Sequence, residues 1–164
     1  MSKIKSIYVL DTETTTTSFK DPKYDYKPNG HIVEFGLTRL DVERRTIGPS
    51  VHYIFEDPEA TGEEWVYKNT DLPFRQGMTE SIPFTDGLLA ASFEGRYVTA
   101  FNLPFDRCLC ERDLPRFSKA VRWAPDIMEA ADLIDEIPRK IHDEATGWRS
   151  HPSVQSTWDY LFPD

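Results

Sequence analysis

The sequence predicts an α/β domain built on a mixed sheet whose first strands run antiparallel. Short apolar runs at residues 6–11, 31–41 and 51–55 are separated by turn-forming stretches, the mark of strands joined by hairpin-like links. A fourth run at 96–101, bounded by Gly95 and Pro104, leads into a helical pattern over 103–113. Composition agrees, since 39% hydrophobic and 13% aromatic residues in a chain of 164 suffice for one domain with a core of its own.

The first strand, Ile7-Tyr8-Val9-Leu10, runs into Asp11-Thr12-Glu13. Side chains at i and i+2 of an extended chain share a face, so Asp11 and Glu13 converge if the strand persists through them. Two carboxylates held together repel unless a cation lies between them, and oxygen-only donors suit Mg²⁺ or Mn²⁺. Alone, Asp-Thr-Glu is also a solvated turn after a buried strand. Residues 17–30 carry Asp21-Pro22 and Pro28-Asn29-Gly30, so they form an inserted loop emerging beside the carboxylate pair. A turn over 44–49 with Gly48-Pro49 separates the second and third strands.

Beyond Asp57-Pro58 the chain becomes helical and mixed, with Trp65, Val66, Leu72, Phe74 and Met78 as apolar contacts. Over 84–93, Phe84, Leu88, Leu89 and Phe93 recur at helical spacing with Asp86 in the first turn, which predicts a core-packing helix. The helix at 103–113 has Pro104 in its first turn and Asp106 near its positive end, placing a third carboxylate at a strand-to-helix junction. By itself such an Asp is an ordinary helix-start residue. Residues 127–141 predict an amphipathic helix through Met128, Ala131, Leu133, Ile134 and Ile137, and 145–151 a polar connector. The last helix, 152–162, carries a stripe of Val154, Trp158, Leu161 and Phe162 that stays partly exposed unless a later helix covers it.

Net charge is −9, unfavourable for a protein that holds a polyanion by its surface. Local basic candidates are Arg39, Arg44 and Arg45 near the second strand's turn, and Arg107, Arg112, Arg116, Lys119 and Arg122 along and after the 103–113 helix. Those five either flank a phosphate track leading to Asp106 or are a solvated helix face. Cys108 and Cys110 point to different faces of a helix, so reduced thiols are expected. No apolar run approaches the ~20 residues that cross a bilayer, and no apolar signal core precedes the first strand. A soluble cytoplasmic protein without membrane association is expected; oligomeric state is not legible.

Asp11-Thr12-Glu13 after an apolar strand, with Asn102-Leu103-Pro104-Phe105-Asp106 downstream, resembles the DEDD family of 3′ to 5′ exonucleases, a branch of the ribonuclease H-like fold. His31-Ile32-Val33-Glu34-Phe35-Gly36-Leu37 looks like that family's second strand, Gln76-Gly77-Met78-Thr79 is similar to its Gly-Ile-Thr segment, and Arg122 to Met128 is similar to the strand and Asp turn after its second motif. The resemblance implies a metal-dependent 3′ to 5′ exonuclease that releases nucleoside monophosphates from a single-stranded 3′ end of DNA or RNA. It implies Asp11, Glu13 and Asp106 as catalytic ligands of two Mg²⁺ or Mn²⁺ ions, with Asp11 bridging both. It further implies Thr12, Thr14 and Phe105 as the lining of the terminal-nucleotide pocket, while Asn102 braces the turn.

The family's third motif, a His or Tyr shortly before a fourth Asp on a late helix, is not matched. His151 and Asp159 are too far apart, and Tyr160 follows Asp159 instead of preceding it. One reading is a single exonuclease-like domain over 1–164 lacking its C-terminal helix. The other is a divergent member that completes the site with Asp159 as ligand and His142 or His151 as base. A catalytically incomplete domain serving as a binding or interaction module is the rival to activity. Aspartyl phosphatases fit less well, because Glu13 stands where their second Asp would be.

Overall fold

The computed structural model describes residues 4–15, 19–21, 25–28, 30–57, 60–72, 74, 82–143 and 148–163; Met78 and the Gln76-Gly77-Met78-Thr79 segment lie outside them. Strand β1 (Ser6–Thr14) is followed by a hairpin of β2 (Phe19–Asp21) and β3 (Asp25–Pro28), then by β4 (Ile32–Asp41) and β5 (Thr46–Ile54). Helices α1 (Trp65–Asn69) and α2 (Ile82–Phe93) precede β6 (Tyr97–Ala100) and α3 (Leu103–Asp113). The chain continues through α4 (Pro115–Ala120), β7 (Arg122–Trp123), α5 (Ile127–Asp132), the paired β8 (Ile141–Asp143) and β9 (Trp148–Arg149), and α6 (Val154–Leu161).

Five strands form one sheet in the order β5-β4-β1-β6-β7. β1 pairs antiparallel with β4 and β4 with β5, whereas β6 and β7 run parallel to their neighbours. This is the predicted mixed sheet with antiparallel first strands. Register decides its faces. Leu10 lies opposite Leu37 and Thr12 opposite Phe35, so these residues share the buried face, while Asp11 opposite Gly36 and Glu13 opposite Glu34 share the other.

The buried face packs against α2, α3 and α4 through Leu89, Phe93, Leu109, Leu114 and Phe117. Phe117 is the hub, meeting the rings of Phe35, Phe93 and Trp123 edge-on with centroids 5.4, 6.3 and 6.3 Å away. A smaller cluster of Val33, Val66 and Leu72 seats α1. Cys110 is buried and Cys108 half-buried, and neither forms a disulfide. No helix among the described residues is long and apolar enough to cross a membrane.

Four expectations are corrected. Gly48-Pro49 is not a turn: the chain reverses over 42–45, with Arg45 at φ 55°, and both residues lie within β5. Pairing runs from Thr38↔Ser50 to Leu40↔Ile47, so Gly48 and Pro49 together oppose Arg39 as a bulge; on an edge strand a proline's missing N–H is tolerated there. The insertion over 17–30 is a small hairpin rather than a loop, and β3 runs beside α3.

Phe84 and Leu88 of α2 face solvent, because the buried side carries Thr85, Asp86, Leu89 and Phe93. Asp86 accepts bonds from the backbone N–H groups of Arg116 (3.1 Å) and Phe117 (2.8 Å) and so caps α4. The helix predicted over 127–141 stops at Asp132 because Arg139 donates to the carbonyls of Asp132 and Ile134 at 2.7 and 3.0 Å, satisfying them from outside the helix. Leu133 is left 87% exposed.

Asp86→Ala strips both α4 donors of their acceptor and lowers unfolding free energy by about 2 kcal/mol, read from urea denaturation; Asp86→Asn keeps an acceptor and costs less.

Candidate active site

β1 persists through Thr14, so the alternation that the sequence requires of Asp11 and Glu13 holds: both lie on the face of the sheet opposite Leu10, Thr12 and Thr14. Thr12 and Thr14 are buried, Glu13 is half-buried and Asp11 is exposed. The register shifts between Glu13 and Thr14, and just beyond it Thr15 locks the strand's end in place. The Thr15 hydroxyl donates to Asp57 Oδ2 at 3.0 Å and accepts from the His31 N–H at 3.1 Å.

The third carboxylate arrives by a different route. β6 ends in Ala100, and Asn102 reverses the chain in the left-handed region at φ 66° and ψ 51°, a conformation that asparagine tolerates. Its N–H donates to Asp126 Oδ1 at 3.0 Å, and its carbonyl accepts from Phe105 N–H at 3.0 Å. Pro104 in the first turn then starts α3, whose bounds match the predicted helix. Asp106 is 4% exposed, and its Oδ1 accepts a 2.8 Å bond from the Thr12 hydroxyl. Asp113, at the helix's other end, accepts from Ile32 N–H and pairs with His31 and Arg112, tying α3 to the start of β4. Burial pushes the Asp113 carboxyl up, but the bonds from Arg112 and Ile32 outweigh it and hold it below the ordinary range.

The carboxylates near the end of β1 share one electrostatic neighbourhood. Burial pushes Asp106 up to about 7, against the Thr12 bond, which lowers it, and together with the charge of Asp11, which raises it. Asp11, exposed as a residue, is raised by partial desolvation of its carboxyl and by Glu34, and Glu13 by desolvation, Asp11 and Glu34. Glu34 is therefore a fourth member, unassigned when the sequence is read alone. It lies directly opposite Glu13, and its Oε1 meets His52 Nε2 at 2.5 Å. The signal was the Glu within the apolar run of β4, but its place beside Glu13 depends on antiparallel register, which residue spacing does not reveal.

As donors, these groups fit a hard divalent cation in kind, being oxygen-only and mutually repelling. In number the fit is partial: among the described residues, no three His, Cys, Asp or Glu side chains come close enough to hold one ion. Asp106 is directed toward Thr12, on the buried side of β1, whereas Asp11 and Glu13 share the other face.

Phe105 packs half-buried against the main core. The substitutes considered from the sequence form local pairs: His151 Nδ1 lies 3.3 Å from Asp132 Oδ2, and Asp159 Oδ1 accepts from Gln155 at 2.6 Å within α6. His142 is exposed beside β9.

Comparison with solved structures follows this geometry. A 3′-exonuclease determined for 3′-end-specific recognition of histone mRNA stem-loop matches with a TM-score of 0.59 at 14% identity, over 84% of this chain and 66% of that one. A product-bound exonuclease I matches with a TM-score of 0.63 at 14% identity, over 90% of this chain and 36% of that one. An exonuclease I from Methylocaldum szegediense gives 0.50 at 21% identity, over 88% and 33%.

The fold is shared with 3′-exonucleases. The chain spans only about a third of the exonuclease I chains. No protein-family model matches it, and no curated protein does.

Asp106 gives a pH signature. Its folded value, about 7, lies above the ordinary 3.8, so the folded chain keeps a proton that the unfolded chain has released. That stabilisation is complete below about pH 4 and lost as pH rises through 7. In divalent-free buffer the wild type should lose roughly 2–4 kcal/mol more than Asp106→Asn between pH 4 and pH 8, measured by chemical denaturation.

Proposed function

We propose that this chain is a metal-dependent 3′ to 5′ exonuclease domain that hydrolyses the terminal phosphodiester of a single-stranded nucleic acid. The observation that carries the reading is the raised proton affinity of Asp11, Glu13 and Asp106, with the charge of Asp11 acting on both of the others and that of Glu34 on the first two, in a fold shared with 3′-exonucleases. Asp11, Glu13 and Asp106 are the residues that would hold Mg²⁺ or Mn²⁺. When bound, such ions neutralise phosphate charge and lower the pKa of a coordinated water.

The chain's own residues do the positioning. The Thr12 hydroxyl fixes one oxygen of Asp106. Asn102 and Asp126 set the turn from which α3 presents Asp106. His52 holds Glu34 away from free rotation beside Glu13. Thr14 and Phe105 neighbour the carboxylates in sequence on β1 and α3 and would line the terminal-nucleotide pocket, although Thr14 is buried and Phe105 packs on the core. With net charge −9 the protein holds its substrate weakly between cuts, so digestion is distributive.

A second reading is favoured by a specific observation. His151 and Asp159 are engaged in local pairs, and no described contact ties either to the carboxylates of β1 and α3, as a binding module without the third motif would require.

Incubation with a 3′-labelled oligonucleotide and Mn²⁺ separates the two. Mononucleotide release that falls to background in Asp11→Ala and in Asp106→Asn supports the exonuclease. Oligonucleotide binding with no release in either Mg²⁺ or Mn²⁺ favours the module. Release equal in wild type and Asp11→Ala contradicts the assignment of the site.

A further inference from the structure

At the opposite end of β1 from the carboxylates lies a hollow of about 240 Å³, formed where the starts of β1, β6 and β7 come together. Lys5, Arg96 and Arg122 all line it, with Ile4, Ser6, Gly95 and Tyr97, and among the described residues no acidic one does. Among the described residues none of the three cations has a carboxylate partner within salt-bridge distance, and all three are exposed. Other hollows of this molecule mix the two signs: one is lined by Arg107 with Glu111, Asp126 and Glu129, and a second that shares Lys5 is also lined by Glu43, which is not within salt-bridge distance of it. In a chain of net charge −9, three unpaired cations gathered around one polar hollow are a local reversal of the overall field.

We propose that Lys5, Arg96 and Arg122 form a phosphate-binding pocket that takes the backbone of a single-stranded nucleic acid upstream of its 3′ end. The proposal rests on the exonuclease reading for the strand's polarity. Arg122 is pre-oriented for it: its guanidinium lies over the Tyr97 ring at 5.7 Å, so little further ordering accompanies phosphate contact. The backbone N–H of Arg122 is bound to the Arg96 carbonyl at 2.8 Å, which fixes the spacing of those two side chains' origins.

The route to the carboxylates runs along the β7 edge. There Arg107, next in sequence to Asp106, sits over Trp123 at 5.9 Å, presenting a guanidinium plane on which a base can stack. From Ser6 to Asp11 the strand advances five steps of about 3.3 Å, roughly 17 Å in all. At about 3.4 Å per stacked nucleotide, that is the reach of roughly five nucleotides.

The test compares oligonucleotides of three and ten nucleotides on the wild type and on two triple variants. One carries Lys5→Gln, Arg96→Gln and Arg122→Gln. The control carries Lys68→Gln, Lys140→Gln and Arg149→Gln, which removes the same charge from exposed positions elsewhere. The pocket variant should raise KM for the ten-mer at least about tenfold with kcat unchanged, leave the three-mer alone, and reduce the slope of log affinity against log salt by about 2. The control should do neither.

Equal KM for the ten-mer in wild type and pocket variant overturns the proposal while leaving the exonuclease reading intact. An equal rise for both lengths, or an equal rise in the control, overturns it too, since the effect is then a general field. A wild type without hydrolysis that still binds the ten-mer through these residues sinks the exonuclease reading and retains the pocket. Should the triple variant unfold, Arg96→Glu alone reads the same length dependence, and Arg96→Lys restores it.

Discussion

A hydrogen bond between residues 94 positions apart, Thr12 to Asp106, is the constraint on which this structure depends. It joins the end of the central strand to the first turn of α3 and brings a buried carboxylate up against a strand that already carries two more. Burial at 4% exposure with a single side-chain donor is too little to keep Asp106 in its ordinary range, and its proton affinity rises toward neutrality. Every other feature of the site supports that placement. The left-handed Asn102 aims α3, Asp126 holds Asn102, and Asp113 fastens the far end of the helix to β4.

The same geometry explains why the site is electrostatically expensive. Asp11, Glu13 and Glu34 lie on one side of β1 and β4, Asp106 reaches in from the other, and His52 contacts Glu34. Like charges brought together without equal compensation lower stability, and groups perturbed in this way are candidates for chemistry. Oxygen-only donors of this kind suit a hard divalent cation, the counter-charge that the proposed function invokes. The cationic hollow at the opposite sheet end is a local exception to the acidic total charge, and the phosphate pocket proposed there rests on that contrast.

How much of this is legible in the sequence follows from which interactions are local. Asp11 and Glu13 follow from strand alternation, and the α3 bounds from Pro104 and from Pro115 just after the helix, because each depends on neighbours within a few residues. The fold class is legible for the same reason. Glu34 and His52 are in plain view as residues, but their place beside Glu13 and Asp11 is set by antiparallel register across β1, β4 and β5. The Thr12 bond is likewise invisible to spacing. The helix expected to continue to Ile141 ends early because Arg139 reaches back to its carbonyls, and Phe84 and Leu88 turn outward because Asp86 has a cap to make; in both cases one tertiary polar contact overrides an apolar period.

The central claim is that these carboxylates are a divalent-cation site coupled to a proton on Asp106. Calorimetric titration of Mn²⁺ at pH 6 in two buffers of different ionisation enthalpy measures both parts at once. The account predicts saturable binding with release of close to one proton per Asp106, weakened in Glu13→Gln and without that proton in Asp106→Asn. Absence of binding, or binding of equal strength and equal proton release in all three proteins, would contradict it.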